Sequence, residues 1–285
     1  MLKWSRKKRI LAIMCILIIM SVVFCFCENN VIETTYISYK NSKLPKEFEG
    51  YKIVQIADLH NKRFGKDQKN LLSKIERESP DIIVMTGDLI DRRRMDIGIA
   101  MEFINGAKKI APIYYVTGNH EAWSSRYDEV KKELQIAGVN LLDDTSMKIE
   151  KDQATIKLLG LSDPAFVTVE FAEVTETLKL EEHLKTLSDD KDFQILLSHR
   201  PELIGIYTDN NIDLVFSGHA HGGQIRLPFI GPILAPNQGY FPRYTSGEYT
   251  ESKTTMIVSR GLGNSLFPLR IFNRPEIIVC TLSQD

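Results

Sequence analysis

Thiol chemistry has little to work with in this chain. Four of its 285 residues are cysteine, and none forms a CxxC pair. That argues against a zinc ribbon or a disulfide framework. Cys15, Cys25 and Cys27 lie in or at the end of an apolar run, and Cys280 stands alone near the C-terminus. The sequence shows no internal repeat and no low-complexity tract. Hydrophobic residues at 43% and charged residues at 26% are ordinary for a globular protein, and the length supports one substantial core.

Beyond the first few residues, an excess of positive charge is missing too. Lys3, Arg6, Lys7, Lys8 and Arg9 come before any acid, and residues 28–285 then hold 31 basic against 37 acidic residues, a net charge of −6. A body of that sign has no general attraction for a polyanion, so no nucleic-acid partner is expected. A small phosphorylated substrate held by metals stays open.

Long runs free of charge and of proline and glycine are absent with one exception. Residues 10–27 carry no charge over 18 positions, and only Ser21 breaks the apolar pattern. Such a helix reaches roughly 27 Å, close to a bilayer core. The basic stretch before it keeps the N-terminus in the cytoplasm and places the body outside. Two readings are carried forward: a single-pass anchor in the cell membrane, and an export signal whose removal releases the body. Residues 1–30 are therefore read as basic lead and membrane segment, 31–50 as a connector with an edge strand at 31–39, and 51–285 as the functional domain.

The body alternates apolar strands with helices. Strands are expected at 51–57, 81–86, 112–117, 139–142, 156–161, 194–197, 214–216, 255–259 and 277–282. Helices are expected at 68–77, 95–109, 127–137 and 174–187. That alternation implies an α/β domain whose sheets are covered by helices.

Histidine is scarce, and its placement is informative. Of six histidines, five fall in short polar clusters just after apolar strands: His60, His120, His199, His219 and His221. His183 alone sits in a helix among charged residues, as a solvated side chain would. The clusters are Asp58-Leu59-His60, Gly87-Asp88-Leu89-Ile90-Asp91-Arg92, Gly118-Asn119-His120-Glu121, Ser198-His199 and Gly218-His219-Ala220-His221. Ligands of α/β sheets bind beyond the carboxyl ends of the strands, so five such ends converge on one edge. Carboxylates, imidazoles and an amide, with no thiolate, suit Mn, Fe or Zn. Two ions held close together need a bridging carboxylate, and the Asp of a Gly-Asp turn can approach closely enough. Any one cluster alone is an ordinary turn. Their joint order is what points to metal chemistry.

This ordered set resembles the calcineurin-like metallophosphoesterase superfamily over about residues 50–285. The stretches His221 to Gln224 and Ser259-Arg260-Gly261-Leu262-Gly263 resemble its bacterial membrane-associated branch of YkuE- and YaeI-type phosphodiesterases. The resemblance implies a metallophosphoesterase-type β-sandwich of two mixed sheets flanked by helices, here preceded by one transmembrane helix. It implies two divalent ions (Mn, Zn or Fe) activating a bridging hydroxide for phosphoester hydrolysis. Asp58, His60 and His221 would bind the first ion, Asp88 would bridge, and Asn119, His199 and His219 would bind the second. His120 would act at the leaving oxygen, and Asp91 would orient it. Arg92 would contact phosphate. Glu121 stands where Asp is also common in the family, and would support the turn.

The substrate reading is a phosphodiester, small or lipid-linked, hydrolysed by a monomer. The alternatives are a UDP-2,3-diacylglucosamine-type pyrophosphatase, a phosphomonoesterase or protein phosphatase, and a noncatalytic metal-holding scaffold. The Pro- and aromatic-rich loop at 225–249 is read either as an apolar wall for a lipid-linked substrate or as a packed connection over the sheet.

Overall fold

A computed structural model describes residues 5–166, 172–189, 191–265 and 267–285. Lys3 of the basic lead lies outside them. Helix α1 (Arg6–Asn30) takes up the uncharged run, and the body leaves its most apolar stretch uncovered. Ser5 caps its start, the side-chain oxygen accepting from the Lys8 N–H at 3.4 Å. Strand β1 (Glu33–Lys40) follows at the sheet edge, where the alternation of residues 31–39 placed a strand.

The next stretch alternates strand and helix: β2 (Lys52–Ile56), α2 (Lys69–Glu78), β3 (Ile82–Thr86), α3 (Ile97–Ala107), β4 (Ile113–Val116), the short α4 (Asn119–Ala122), α5 (Tyr127–Ala137) and β5 (Asn140–Leu141). Then come β6 (Thr145–Lys151), β7 (Ala154–Gly160), α6 (Ala172–Leu187), β8 (Gln194–Leu197), α7 (Ile204–Asp209) and β9 (Leu214–Ser217). Short ribbons follow, β10 (Arg226–Leu227) with β11 (Gly231–Pro232) and β12 (Leu234–Ala235) with β13 (Gly239–Tyr240). β14 (Gly247–Glu251), β15 (Thr254–Val258) and β16 (Glu276–Ser283) close the chain.

Two six-stranded mixed sheets result, ordered β1-β16-β2-β3-β4-β5 and β14-β15-β9-β8-β7-β6. The period-2 alternation of a strand decides which layer each residue joins. Ile53, Val84, Val116 and Ile278 face inward and meet Leu158, Ile195, Phe216 and Ile257 of the second sheet. Val54, Met85, Tyr115 and Val279 face outward under α2, α3 and α5. Leu159, Leu196, Val215 and Met256 face the opposite way, under α6 and α7. The molecule is thus a helix–sheet–sheet–helix sandwich of α/β class. Phe103 of α3 is fully buried in the outer layer, and Phe103→Ala would cost about 3–5 kcal/mol.

Local signals fix the helix ends. Asp96 caps α3 by accepting from the Ile99 N–H at 3.2 Å. α5 ends where Gly138 turns left-handed (φ 81), which lets the Val139 N–H reach the Leu134 carbonyl at 3.0 Å. Two edge strands, β6 and β14, were not legible in the sequence. Their residues are largely exposed or half-buried, so no apolar pattern marks them.

Candidate metal centre

Five strand ends meet at one rim of the sandwich. β2, β3 and β4 run parallel in one sheet, and β8 and β9 run parallel in the other. The loops after β2 and β3 are zipped together, with the Asp58 N–H donating to the Gly87 carbonyl at 3.1 Å and the His60 N–H to the Asp88 carbonyl at 3.0 Å. Gln55, fully buried, pins one sheet to the other. Its amide donates to Thr86 Oγ1 at 3.0 Å and to the Ser217 carbonyl at 2.8 Å.

Two groups of ligand-type atoms form there. Asp58, His60, Asp88 and His221 make one, and Asp88, His199 and His219 make the other, with the ligand atoms of each group within 4.8 Å of one another. Asp88 belongs to both: its Oδ2 lies 3.5 Å from His60 Nε2 and 3.4 Å from His199 Nε2. Asn119 joins the second group, its Oδ1 being 3.1 Å from His199 Nε2. His120 and Asp91 sit beside the first, the His120 ring centroid 4.4 Å from that of His60. His183 lies apart, half-exposed in an ion pair with Asp144 at 3.3 Å.

The partners of the outward-facing nitrogens set which atoms turn inward. His199 Nδ1 donates to the Thr86 carbonyl at 2.7 Å, which leaves Nε2 for the centre. His219 Nε2 donates to Asn237 Oδ1 at 2.9 Å, which leaves Nδ1. His60 and His221 approach through Nε2 atoms 3.2 Å apart. His60 Nδ1 is buried without a hydrogen-bond partner among the described residues. His120 Nδ1 accepts the Arg92 N–H at 3.2 Å, so its proton resides on Nε2. Asp91 Oδ1 lies 3.7 Å from that Nδ1, outside hydrogen-bond range, and accepts the Arg93 N–H at 2.9 Å instead. The Arg92 guanidinium stacks over Trp123, 4.5 Å from the ring centroid.

Burial and charge compete in this rim. Burial pushes Asp58 up to about 7. Burial also works against an ionised Asp88, but the charge and hydrogen bond of His199 hold it well below the usual carboxylate range. Burial would make His199 a weaker base, yet the Asp88 carboxylate drives it up to about 10. Burial pushes His60 down to about 3 and drives His219 and His221 well below the usual imidazole range. His199 thus answers the charge of Asp88, while fully buried Asp58 is faced by the unprotonated imidazoles of His60 and His221, a setting that suits added positive charge. Oxygen and nitrogen donors of this kind fit divalent Mn, Fe or Zn.

The backbone is strained at the same place. Asp58, His60, Asp88, His219 and His221 all adopt φ between 48° and 64°. Left-handed backbone costs about 1–2 kcal/mol for a residue with a Cβ, and such outliers cluster at functional sites. Gly87 (φ 87) permits the approach: a Cβ there would lie 2.6 Å from His199 Nδ1 and 2.7 Å from the Gly118 Cα.

Sequence reading placed Glu121 as a support of its turn and missed three other side chains around this centre. Glu121, fully buried, accepts from the N–H groups of Asp88 and Gly118 at 2.8 Å and of Ile90 at 3.1 Å, so it holds the two turns together. Arg200 clamps Asp163 through contacts of 2.6 and 2.8 Å and reaches His219 Nε2 at 3.3 Å. Asn237 supports the same histidine. Arg270, fully buried, approaches His221 Nδ1 at 3.5 Å. Of the three missed, only Arg200 carried a signal, standing directly after His199.

A calcineurin-like phosphoesterase profile matches residues 51–223. The chain belongs to that family. It is 34% identical to the metallophosphoesterase YkuE of Bacillus subtilis (strain 168), across 90% of this chain and 87% of that one. It is 27% identical to phosphodiesterase YaeI of Escherichia coli (strain K12), across 81% and 82%. It is also 27% identical to a transmembrane protein with metallophosphoesterase domain of Danio rerio, across 85% of this chain and 55% of that one. This family member is therefore a metallophosphoesterase by membership, with buried side chains able to hold metal ions.

Proposed function

We propose that this metallophosphoesterase is a membrane-anchored phosphodiesterase working with two divalent ions. One observation carries the reading: the two groups of ligand-type atoms share a single carboxylate, Asp88. Asp58, His60 and His221 would hold the first ion, Asn119, His199 and His219 the second, and Asp88 would bridge them. Such a pair of ions neutralises charge on phosphate oxygens and lowers the pKa of bound water.

The chain's own residues do the rest. His120 keeps its proton on Nε2 because Nδ1 accepts the Arg92 N–H, so the free edge of the ring is the donor edge. Burial holds His120 below the usual imidazole range, so it is the neutral form that donates to a leaving oxygen. Asp91 shapes the loop that presents this N–H, and Arg92, stacked on Trp123, offers a guanidinium for a phosphate oxygen. Glu121 fixes Asp88 and Gly118 in register.

The diester preference is supported by the likeness to YaeI, whose name is that of a phosphodiesterase. Membrane anchoring is supported by α1, whose residues 10–27 are uncharged over the length of a bilayer core and follow Arg6, Lys7, Lys8 and Arg9 at its start. This topology favours an envelope phosphodiester or phospholipid headgroup over a cytoplasmic nucleotide. The test compares His120→Ala with the parent for metal content and for hydrolysis of bis-p-nitrophenyl phosphate and p-nitrophenyl phosphate. Retained metal with turnover down by about 10²–10⁴ supports the role. Unchanged turnover rejects it, and a faster monoester than diester rejects the diesterase reading.

A further inference from the structure

The body meets the last turns of α1 through residues 270–274, with Lys62 and Asn264 also reaching Asn29. Glu28 accepts the Asn273 N–H and the Arg274 guanidinium at 2.9 and 2.8 Å, and Asn29 Oδ1 accepts the Arg270 N–H at 2.9 Å. Glu28 is the first acid after the uncharged run, so its level marks where hydrocarbon gives way to headgroups. Phe24 lies four residues back, roughly 6 Å deeper. The Phe272 ring packs on Phe24 with centroids 5.0 Å apart. The body therefore reaches below the headgroup level at Phe272.

Phe272 does not stand alone. It lines one surface cavity with Leu227, Pro228, Phe229 and Ile230, the turn between β10 and β11. Phe229 at the tip is fully exposed, Ile230 is 60% exposed and Phe272 50%. Burying a side chain of this size is worth about 1.5–3 kcal/mol, which an aqueous tip forgoes. The rim is also tied to the centre: Asn273, next to Phe272, donates to the His221 carbonyl at 2.7 Å. A second cavity, lined by His60, Lys62, Arg94 and Asn264, opens beside the centre, and Lys62 donates to the Asn29 carbonyl at the end of α1. Exposed Arg94 thus stands where phosphate headgroups would be level with the site.

We propose that the turn at Leu227–Ile230, together with Phe272, inserts into the bilayer that α1 spans, and that this holds the mouth of the metal centre against the lipid headgroups of the same leaflet. The apolar rim is continuous with the membrane helix, and its occupant is a phospholipid surface. Substrate then enters laterally, as a phosphoester of a lipid or of a polymer held at that surface. The inference rests on the anchored reading of α1.

The test uses the full chain in bilayer nanodiscs of phosphatidylglycerol and phosphatidylcholine brominated in its acyl chains. Four single reporters are compared with the parent: Leu17→Trp in the helix, Phe229→Trp and Phe272→Trp in the rim, and Ile136→Trp on exposed α5. The Leu17, Phe229 and Phe272 reporters are expected to lose at least half of their added emission relative to unbrominated discs, and Ile136→Trp none. Quenching at Leu17 without quenching at Phe229 and Phe272 overturns the insertion while leaving the anchor standing. No quenching at Leu17 removes the anchor and the insertion with it. Metal content equal to the parent's certifies that each reporter is folded, and the readout needs no turnover.

Discussion

Arg200 and Arg270 each stand behind a histidine of the centre, but they are held in different ways. Arg200 is paired with a carboxylate, Asp163, buried alongside it, and that pairing outweighs the effect of burial and raises its pKa. Among the described residues, Arg270 has no carboxylate in contact. It donates to the carbonyls of Gly263, Arg260 and Asn273 at 2.6, 2.9 and 3.3 Å, and burial brings it down to about 10. Both cations disfavour protonation of the adjacent imidazole, His219 in one case and His221 in the other. The support of the second group is closed within the body. The support of the first runs on through Asn29 to the N-terminal helix α1. The same electrostatic task is thus met by an ion pair on one side and by backbone dipoles on the other.

The largest effect should come from the residue that belongs to both sides. Asp88→Asn should release both ions and reduce hydrolysis to background, as read by elemental analysis and initial rates; retention of two ions would remove the bridging role. Arg200→Met should come next. It leaves Asp163 buried and unpaired, at a cost of about 3–5 kcal/mol, which corresponds to a Tm drop of about 10 °C in a scanning melt. Arg270→Met strands carbonyls only, which tolerate missing donors better than a carboxylate does. Its melt should shift less than that of Arg200→Met, while affinity for one ion falls about 10–100-fold in a chelator titration. Equal melts for the two variants would erase the contrast.

Two smaller effects sharpen it. Asn29→Ala removes the acceptor of the Arg270 N–H and should cost about 1 kcal/mol, seen as a slight loss of first-ion affinity with the second unchanged. Lys157→Met, on β7 and remote from the rim, is the control. Lys157 holds Asp189 down to about 2 through a 2.6 Å contact. A depressed carboxyl contributes stability above its unfolded pKa and loses it as pH falls through the folded one. The variant should therefore differ from the parent above about pH 4 and converge with it toward pH 2, by under about 1 kcal/mol because the pair is largely solvated. Metal content should not change.

The layers of the sandwich were legible because strands such as β3 and β9 are buried on both faces and read as largely apolar runs. The polar edge strands β6 and β14 were not, since only their neighbours show that they pair. The histidine clusters were legible because each follows a strand end. The family resemblance assigns Asp91 to orient His120, whereas the structure gives His120 Nδ1 the Arg92 N–H and places Asp91 Oδ1 3.7 Å away. A backbone donor carries no sequence signal. Arg270 was invisible for a related reason: it lies 49 positions from His221 and reads as an ordinary basic residue in a loop.

Sequence alone determined the order of the motifs, the α/β layering and the uncharged N-terminal run, because periodicity and residue chemistry are local properties. Only the tertiary structure decided that Asp88 faces two groups at once, that each group has its own buried cation, and that the end of α1 is joined to the loop behind His221. Those facts depend on distances between residues far apart in the chain, which are fixed by how the two sheets pack.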